Sequence, residues 1–315
     1  MRWGVAWLRP KLQFPVDMDD DFFLPHRVAI VGLGLMGGSL ALALRGYCQA
    51  LVGIDRDPQT LALARQLQIM DLVTDDLFDG LRHADLVVLA APVRVNIRLL
   101  EVIAGRITHP LMILDLSSTK AKVVSAMDAL PTHLSALGGH PMCGKETSGL
   151  ANADGKLFWD APFVLTETAR TTDDLRSVAE TLIAIIGAIP LWLDAETHDR
   201  WAAAVSHLPY LVSVALAGCT PGEAAPLVST GFRSTSRLAA SDVTMMLDIL
   251  ATNRRSVLSA LESFEKALES LRAALQGEDE TALRTLLTAA RENHSRLVRH
   301  PGSDSLVELG SPDTP

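Results

Sequence analysis

One histidine, His140, stands in a run dense in turn formers, Gly138-Gly139-His140-Pro141-Met142-Cys143-Gly144-Lys145-Glu146-Thr147-Ser148-Gly149. The composition predicts a loop, shaped by the glycines and stiffened by the proline, that presents one imidazole to a ligand. Such a ring can take or give a proton near neutral pH. A lone loop histidine more often only hydrogen-bonds to the backbone. What favours chemistry here is a second constellation about a hundred residues upstream.

That constellation is Gly32-Leu33-Gly34-Leu35-Met36-Gly37-Gly38. It follows a short β-branched run, Arg27–Val31, and opens a helix-compatible segment, Ser39–Arg45. Leu51–Ile54 then reads as a second strand ending in Asp55, 18 positions beyond Gly37. Strand, glycine turn, helix and acid in this order form a dinucleotide-binding fingerprint. Gly32 permits the tight turn, Gly34 lets the backbone approach a pyrophosphate, and Gly37 lets helix and strand pack closely. Leu35 and Met36 open the helix whose free N–H groups and positive partial charge face the phosphates. Asp55 suits the ribose hydroxyls and repels a 2′-phosphate, which favours NAD. The neighbouring Arg56 leaves NADP open.

The elements that must hold these groups follow the same logic. Asp85–Ala90 is a continuous apolar run of the parallel-strand kind, followed by Pro92 and a helix-like stretch. Leu111–Leu114 is another, leading into Asp115-Leu116-Ser117-Ser118-Thr119-Lys120. Ligands of open α/β sheets bind beyond the carboxyl ends of strands, so Pro92, Ser118 and the His140 loop are expected at one crevice. Ser118 either meets a ligand there or caps the helix that starts near Lys120. After Leu191–Leu193 helical periodicity dominates. Trp201–Leu216 is apolar almost all round and predicts a helix buried on most faces, bent where Pro209 interrupts it. His207 on that helix reads as a core histidine. In Gly231-Phe232-Arg233-Ser234-Thr235-Ser236-Arg237, Arg237 either snorkels or pairs with an anion.

Composition sets the outer bounds. The 315 residues exceed what one core usually serves, and the chain is apolar, 48% hydrophobic with a mean hydropathy of +0.23. No uninterrupted apolar run approaches the roughly 20 residues of a membrane span. The excess apolar surface points instead to a subunit interface. A net charge of -9 argues against nucleic acid and anionic membranes as partners. Cys48, Cys143 and Cys219 are scattered and lack metal-ligand spacing, so no metal is expected and a reducing cytoplasm is. The organisation expected is an extension, 1–25, either disordered or a non-native start upstream of Met18, then a dinucleotide-binding domain, 26–193. A helical substrate and dimerisation domain, 194–300, and a flexible tail, 301–315, complete it.

Gly32–Ser39, Asp115-x-x-Ser118-x-Lys120, Gly139-His140-Pro141-Met142-x-Gly144, Ser206-His207-Leu208-Pro209 and Gly231-Phe232-Arg233-x-x-x-Arg237 together resemble the TyrA family of prephenate and arogenate dehydrogenases. The resemblance runs from about Arg27 to about Val298. It implies an α/β Rossmann-like N-terminal domain and an all-α C-terminal domain through which the chain forms a homodimer. It implies a small-molecule reaction, the NAD-dependent oxidative decarboxylation of prephenate to 4-hydroxyphenylpyruvate in tyrosine biosynthesis, or of arogenate to tyrosine. By the same resemblance His140 is the base, Ser118 bonds the ring hydroxyl or orients the imidazole, and Arg237 binds a substrate carboxylate. His207 is carried over as a supporting or substrate-contacting residue. Arogenate carries an amino-acid side chain where prephenate has a keto acid, and an acidic residue such as Glu146 would suit it as an extra contact. Many prephenate-using members read Ser-His-Leu-Pro-His; this chain has Tyr210 in the last place, a departure at the substrate site. Two other readings stand beside this one. A β-hydroxyacid dehydrogenase is disfavoured because Lys266, the only lysine after Lys156, lies on a charged helix face. A non-catalytic NAD sensor would bind cofactor without turnover.

Overall fold

The structure, a computed structural model, describes residues 24–145 and 147–298. The expected extension over its first 23 residues, Glu146 and the tail 301–315 lie outside the described residues. By internal packing the chain falls into one unit up to Val257 and a second from Leu258.

The first unit opens with alternating strands and helices: β1 (Arg27–Val31), α1 (Leu35–Leu44), β2 (Ala50–Ile54), α2 (Pro58–Leu67), β3 (Leu72–Thr74), α3 (Leu77–Leu81), β4 (Leu86–Leu89), α4 (Val93–Arg106), β5 (Leu111–Asp115), α5 (Ala121–Asp128) and β6 (Leu134–Pro141). After a short 3-10 turn at Leu150–Asn152 come β7 (Pro162–Thr166), α6 (Asp173–Ile185) and β8 (Ile189–Trp192). All eight strands form one sheet in the order β3-β2-β1-β4-β5-β6-β7-β8. The first six are parallel and β7 runs antiparallel to β6. This is the doubly wound order with its switch point between β1 and β4.

Pleating explains why both faces are apolar. Val28 and Ile30 of β1 and Leu86 and Val88 of β4 face a core built with Leu40 and Leu44 of α1 and Leu182 of α6. The alternate residues, Ala29, Val31, Val87 and Leu89, face Leu100 and Ile103 of α4 and Val123 and Met127 of α5. Local signals start the helices where they do. Asp57, Asp76 and Thr172 accept hydrogen bonds from first-turn N–H groups of α2, α3 and α6.

Beyond β8 the described chain is helical: α7 (Ala195–Ala202), a π turn (Ala203–His207), α8 (Leu208–Cys219), α9 (Thr230–Ser236) leading into a 3-10 turn (Arg237–Ala240), and α10 (Val243–Thr252). α11 (Arg254–Gln276) follows and continues into the second unit, where α12 (Glu280–Val298) completes the described chain. The architecture is thus a Rossmann-like α/β domain followed by helices.

One expectation for this region needs correction. The helix over Trp201–Leu216 is not buried on most faces: Trp201 is 49% and Val205 63% exposed in the single chain. The continuous run Ala195–Cys219 is also long and apolar enough, by length and composition alone, to cross a membrane, although its apolar residues are interrupted by Ser206, His207 and Pro209. Pro209 is accommodated by a specific device. The N–H of Leu208 bonds to the carbonyl of Ala203, a one-residue-wider turn, and the proline then enters in the first turn of α8.

Candidate active site

The glycine turn after β1 is built to admit a dinucleotide. Gly32 has φ +94, and a Cβ there would lie 2.8 Å from the Ala91 nitrogen. The turn is therefore pressed against the end of β4, next to Pro92, which precedes α4. A Cβ on Gly37 would fall 1.9 Å from the Gly32 carbonyl oxygen, so α1 closes on its own turn. By contrast, nothing lies within 4 Å of the Cβ position of Gly34, which leaves the space a phosphate needs. No side chain caps α1, so the N–H groups at Leu35 and Met36 face that space without a side-chain acceptor of the kind α2, α3 and α6 have.

Asp55 braces the turn at the end of β2. Its Oδ2 accepts from the Leu33 N–H at 2.7 Å and its Oδ1 from the Asp57 N–H at 2.9 Å. The half-buried carboxylate keeps lone pairs for ribose hydroxyls, and Arg56 beside it is exposed. Gly37→Ala is expected to weaken NAD binding roughly 10- to 100-fold, since overpacking against an unyielding backbone oxygen costs about 1–3 kcal/mol. Cofactor titration by tryptophan fluorescence checks it; unchanged affinity would rule out the assigned cradle.

His140 does not sit in a loop. It is the penultimate residue of β6, paired with Val164 of β7. The flanking glycines serve close approach rather than turning: a Cβ on Gly139 would lie 2.5 Å from the Asp115 carbonyl oxygen and 2.9 Å from Phe163. Because β6 runs parallel to β5, His140 shares an edge of the sheet with half-buried Ser118, just past the end of β5.

Behind His140 lies a connected polar core. Its Nδ1 is 2.8 Å from Nε2 of His198, whose Nδ1 is 2.9 Å from Oδ1 of Asp199. The two imidazoles meet edge to face, 5.0 Å between centroids. The Asp199 carboxylate also accepts from the backbone N–H of Lys120 at 2.7 Å and of Ala121 at 3.0 Å. Asp199 of α7 therefore caps α5, which corrects the alternative that Ser118 is the cap. Burial alone would push the Asp199 carboxyl up; the hydrogen bonds from His198, Lys120 and Ala121 outweigh it and hold it below the usual carboxylate range.

Lys120, fully buried at 0% exposure, pairs with Asp115 and donates to the Gly139 carbonyl at 2.6 Å. Asp115 in turn accepts from the Ser117 N–H and hydroxyl. Burial first, with the Lys120 ammonium and the neighbouring imidazoles adding to it, holds the His140 pKa well below its ordinary value, so the ring is a neutral base.

His207 is buried as expected of a core histidine, 3.3 Å from Asn253, which donates to the Asp199 carbonyl at 2.6 Å. Burial first pushes its pKa down to about 4. It supports Asp199 from behind through Asn253. Tyr210 and Arg237 follow the π turn in the chain. Tyr210 is half-buried on α8, and Arg237 is exposed at the start of the 3-10 turn after α9. α8 packs against both that turn and α9, and the Ser213 hydroxyl donates to the Thr235 carbonyl at 2.7 Å.

Three groups were missed in the sequence, His198, Asp199 and the role of Lys120. The adjacent His-Asp pair on a polar helix start and the Asp115-to-Lys120 spacing were the only signals.

The comparisons with known proteins agree with this layout. Residues 40–189 match the nucleotide-binding domain of prephenate dehydrogenase and residues 194–289 match its dimerization domain. Among curated relatives, the cyclohexadienyl dehydrogenase of Zymomonas mobilis is 35% identical over 80% of this chain and 89% of its own. The prephenate dehydrogenase of Bacillus subtilis is 32% identical over 88% of this chain and 77% of its own. Among solved structures, prephenate dehydrogenase from Aquifex aeolicus in complex with hydroxyphenyl propionate and NAD+ superposes with a TM-score of 0.79 at 28% identity. That match covers 90% of this chain and all of the other. Bearing both domains in order, the chain belongs to the prephenate dehydrogenase family.

Proposed function

We propose that the chain catalyses the NAD-dependent oxidative decarboxylation of prephenate to 4-hydroxyphenylpyruvate, with His140 as the base. The supporting observation is a neutral, half-buried imidazole at the ligand edge of the sheet, backed by an ionised carboxylate two hydrogen bonds away. The Gly32–Gly37 turn would hold NAD with Asp55 at its ribose, and bound there the cofactor would supply the hydride acceptor. His140 removes the C4 hydroxyl proton as the C4–H bond breaks and C4=O forms. The ring carboxylate then leaves as CO₂, the electrons of its C–C bond aromatise the ring, and His140 returns the proton to the C4 oxygen. No net proton is released, so the base ends each cycle in its starting state.

Ser118 is suited to bond the C4 hydroxyl, and the guanidinium of Arg237 to hold a substrate carboxylate. His207 supports the His140 environment from its buried place, and Tyr210, in the place of the family's second histidine, is suited to bear on substrate preference. The apolar surface left exposed by α7, the π turn and α8 supports a homodimer formed through the helical region that matches the dimerization domain. Three free cysteines and no metal-ligand cluster among the described residues fit a cytoplasmic enzyme.

The test is NADH formation by the pure protein with prephenate and arogenate, each with NAD and with NADP. Prephenate with NAD is expected to give the highest kcat/KM. No turnover with any pair would refute the activity, and a preference for arogenate would move the substrate assignment to Tyr210 and its neighbours.

A further inference from the structure

We propose that Asp199 and His198 are positioning residues that dictate which nitrogen of His140 is free to act as base. Asp199 holds the Nδ1 proton of His198, His198 accepts the Nδ1 proton of His140, and Nε2 of His140 is left bare toward the crevice. The inference rests on the reading of His140 as the base and specifies how that base is prepared.

The direction of every hydrogen bond follows from the end of the chain. The three groups that meet the Asp199 carboxylate are donors: His198 Nδ1 at 2.9 Å and the N–H groups of Lys120 at 2.7 Å and Ala121 at 3.0 Å. The last two belong to the start of α5, whose positive end favours the anion. An ionised carboxylate can only accept, so His198 must carry its proton on Nδ1. With one proton per ring, His198 Nε2 is then an acceptor, and the 2.8 Å contact requires a proton on His140 Nδ1. The tautomer of His140 is thereby set by a helix terminus two side chains away.

The surroundings oppose alternatives. The charged and titratable groups facing His140 are His198 and Asp199 from α7, His207 from the π turn and Lys120 from the β5–α5 connection, the last neutralised by Asp115. None offers His140 Nδ1 a second acceptor. Asn253 fixes the relay in place by donating to the Asp199 carbonyl. When His140 takes a proton on Nε2, its imidazolium faces the His198 lone pair, and the Asp199 anion stabilises the charge through that ring.

Asp199→Asn tests this. Oδ1 of Asp199 takes both His198 Nδ1 and the Lys120 N–H, and Oδ2 takes the Ala121 N–H. An amide whose nitrogen replaces Oδ1 therefore donates to His198 Nδ1, keeps its oxygen for Ala121 and loses the Lys120 bond. That reverses the chain and puts the His140 proton on Nε2. The expected result is a loss of roughly 10³- to 10⁴-fold in kcat, the size of a wrong-tautomer defect in a hydrolase triad, with KM for NAD unchanged. Nitrogen-15 spectra of the histidine-labelled protein should show His140 protonated on Nδ1 in the wild type and on Nε2 in the variant. His198→Gln retains an acceptor for His140 Nδ1 but no ring, so it should keep the tautomer and lose about 10- to 100-fold, as when partners of metal-bound histidines are removed.

A wild-type Nε2–H tautomer, or an Asp199→Asn variant whose His140 carries its proton on Nε2 and whose kcat is within threefold of wild type, would overturn the relay. If the variant keeps the Nδ1–H tautomer, His198→Gln decides by the criterion below. If Asp199→Asn fails to fold, His198→Gln decides: a kcat within threefold overturns the relay, and the expected loss at unchanged KM for NAD supports it. The spectra separate this inference from the proposed activity. A tautomer switch without wild-type turnover removes the reaction and keeps the relay, whereas turnover without a switch removes the relay alone.

Discussion

Replacing His140 with asparagine is expected to lower kcat by about 10²- to 10⁴-fold, the usual contribution of a positioned base, while NAD affinity stays within twofold. Asparagine can still donate to His198 Nε2 from the position of Nδ1, so the strand end and the relay behind it keep their bonds. What it cannot do is accept a proton at neutral pH. The cofactor cradle lies on β1, α1 and β2, none of which bonds to His140, so NAD binding should not notice. Steady-state rates with prephenate and a cofactor titration measure the two effects separately. A rate within tenfold of wild type would remove His140 from the chemistry.

The same experiment has a pH arm. Burial holds the His140 imidazolium well below the ordinary histidine value of 6.5, so the base stays unprotonated until the pH falls below that value. The acid limb of kcat/KM should therefore lie below pH 6.5, and a limb at or above it would contradict the environment described.

Lys120→Met is expected to destabilise the protein by about 3–5 kcal/mol, because removing one partner of a buried pair leaves the other charge uncompensated. Asp115 is fully buried with it, and its remaining donors, the Ser117 N–H and hydroxyl and Asn96, are neutral. Against a total stability of ordinarily 5–15 kcal/mol, this is a large fraction. Urea unfolding at pH 7 measures it, and a loss under 1 kcal/mol would mean the pair is not buried as described. Adding Asp115→Leu should recover much of the loss, since an apolar pair often replaces a buried ionic one without penalty. Activity should not return in full, because Gly139 would still lack the ammonium that anchors the strand end carrying His140.

What could be read from the residues in order was whatever is local. The glycine turn, its helix and Asp55 fall within 24 consecutive positions, and the chemistry of each depends on near neighbours. His140 was recognised for its type and neighbours, but its secondary structure was misjudged. Gly138, Gly139 and Pro141 look like turn formers until Asp115 and Phe163 are seen pressing on the strand. His198 and Asp199 went unread because their partners lie 58 and about 79 positions away, and nothing in their own segment demands such partners. Trp201–Leu216 was expected to be buried because apolar periodicity reports which surfaces avoid water. It does not report whether the same chain or another copy supplies the cover.

The seating of Asp199 on the start of α5 has a consequence for how such an enzyme can change over time. Together with the Thr119–Thr252 hydroxyl pair and the Arg94–Asp248 ion pair, it fastens α7 and α10 to the layer that covers the sheet. Proton handling is thereby written into the most constrained part of the unit, where one substitution disturbs a helix end and a base at once. Tyr210 sits further along the same helical run, on α8 beyond the π turn that carries His207, and Arg237 on the turn packed against α8. Neither side chain caps the start of a described helix, so substrate preference can change by their exchange while the seat of Asp199 stays whole.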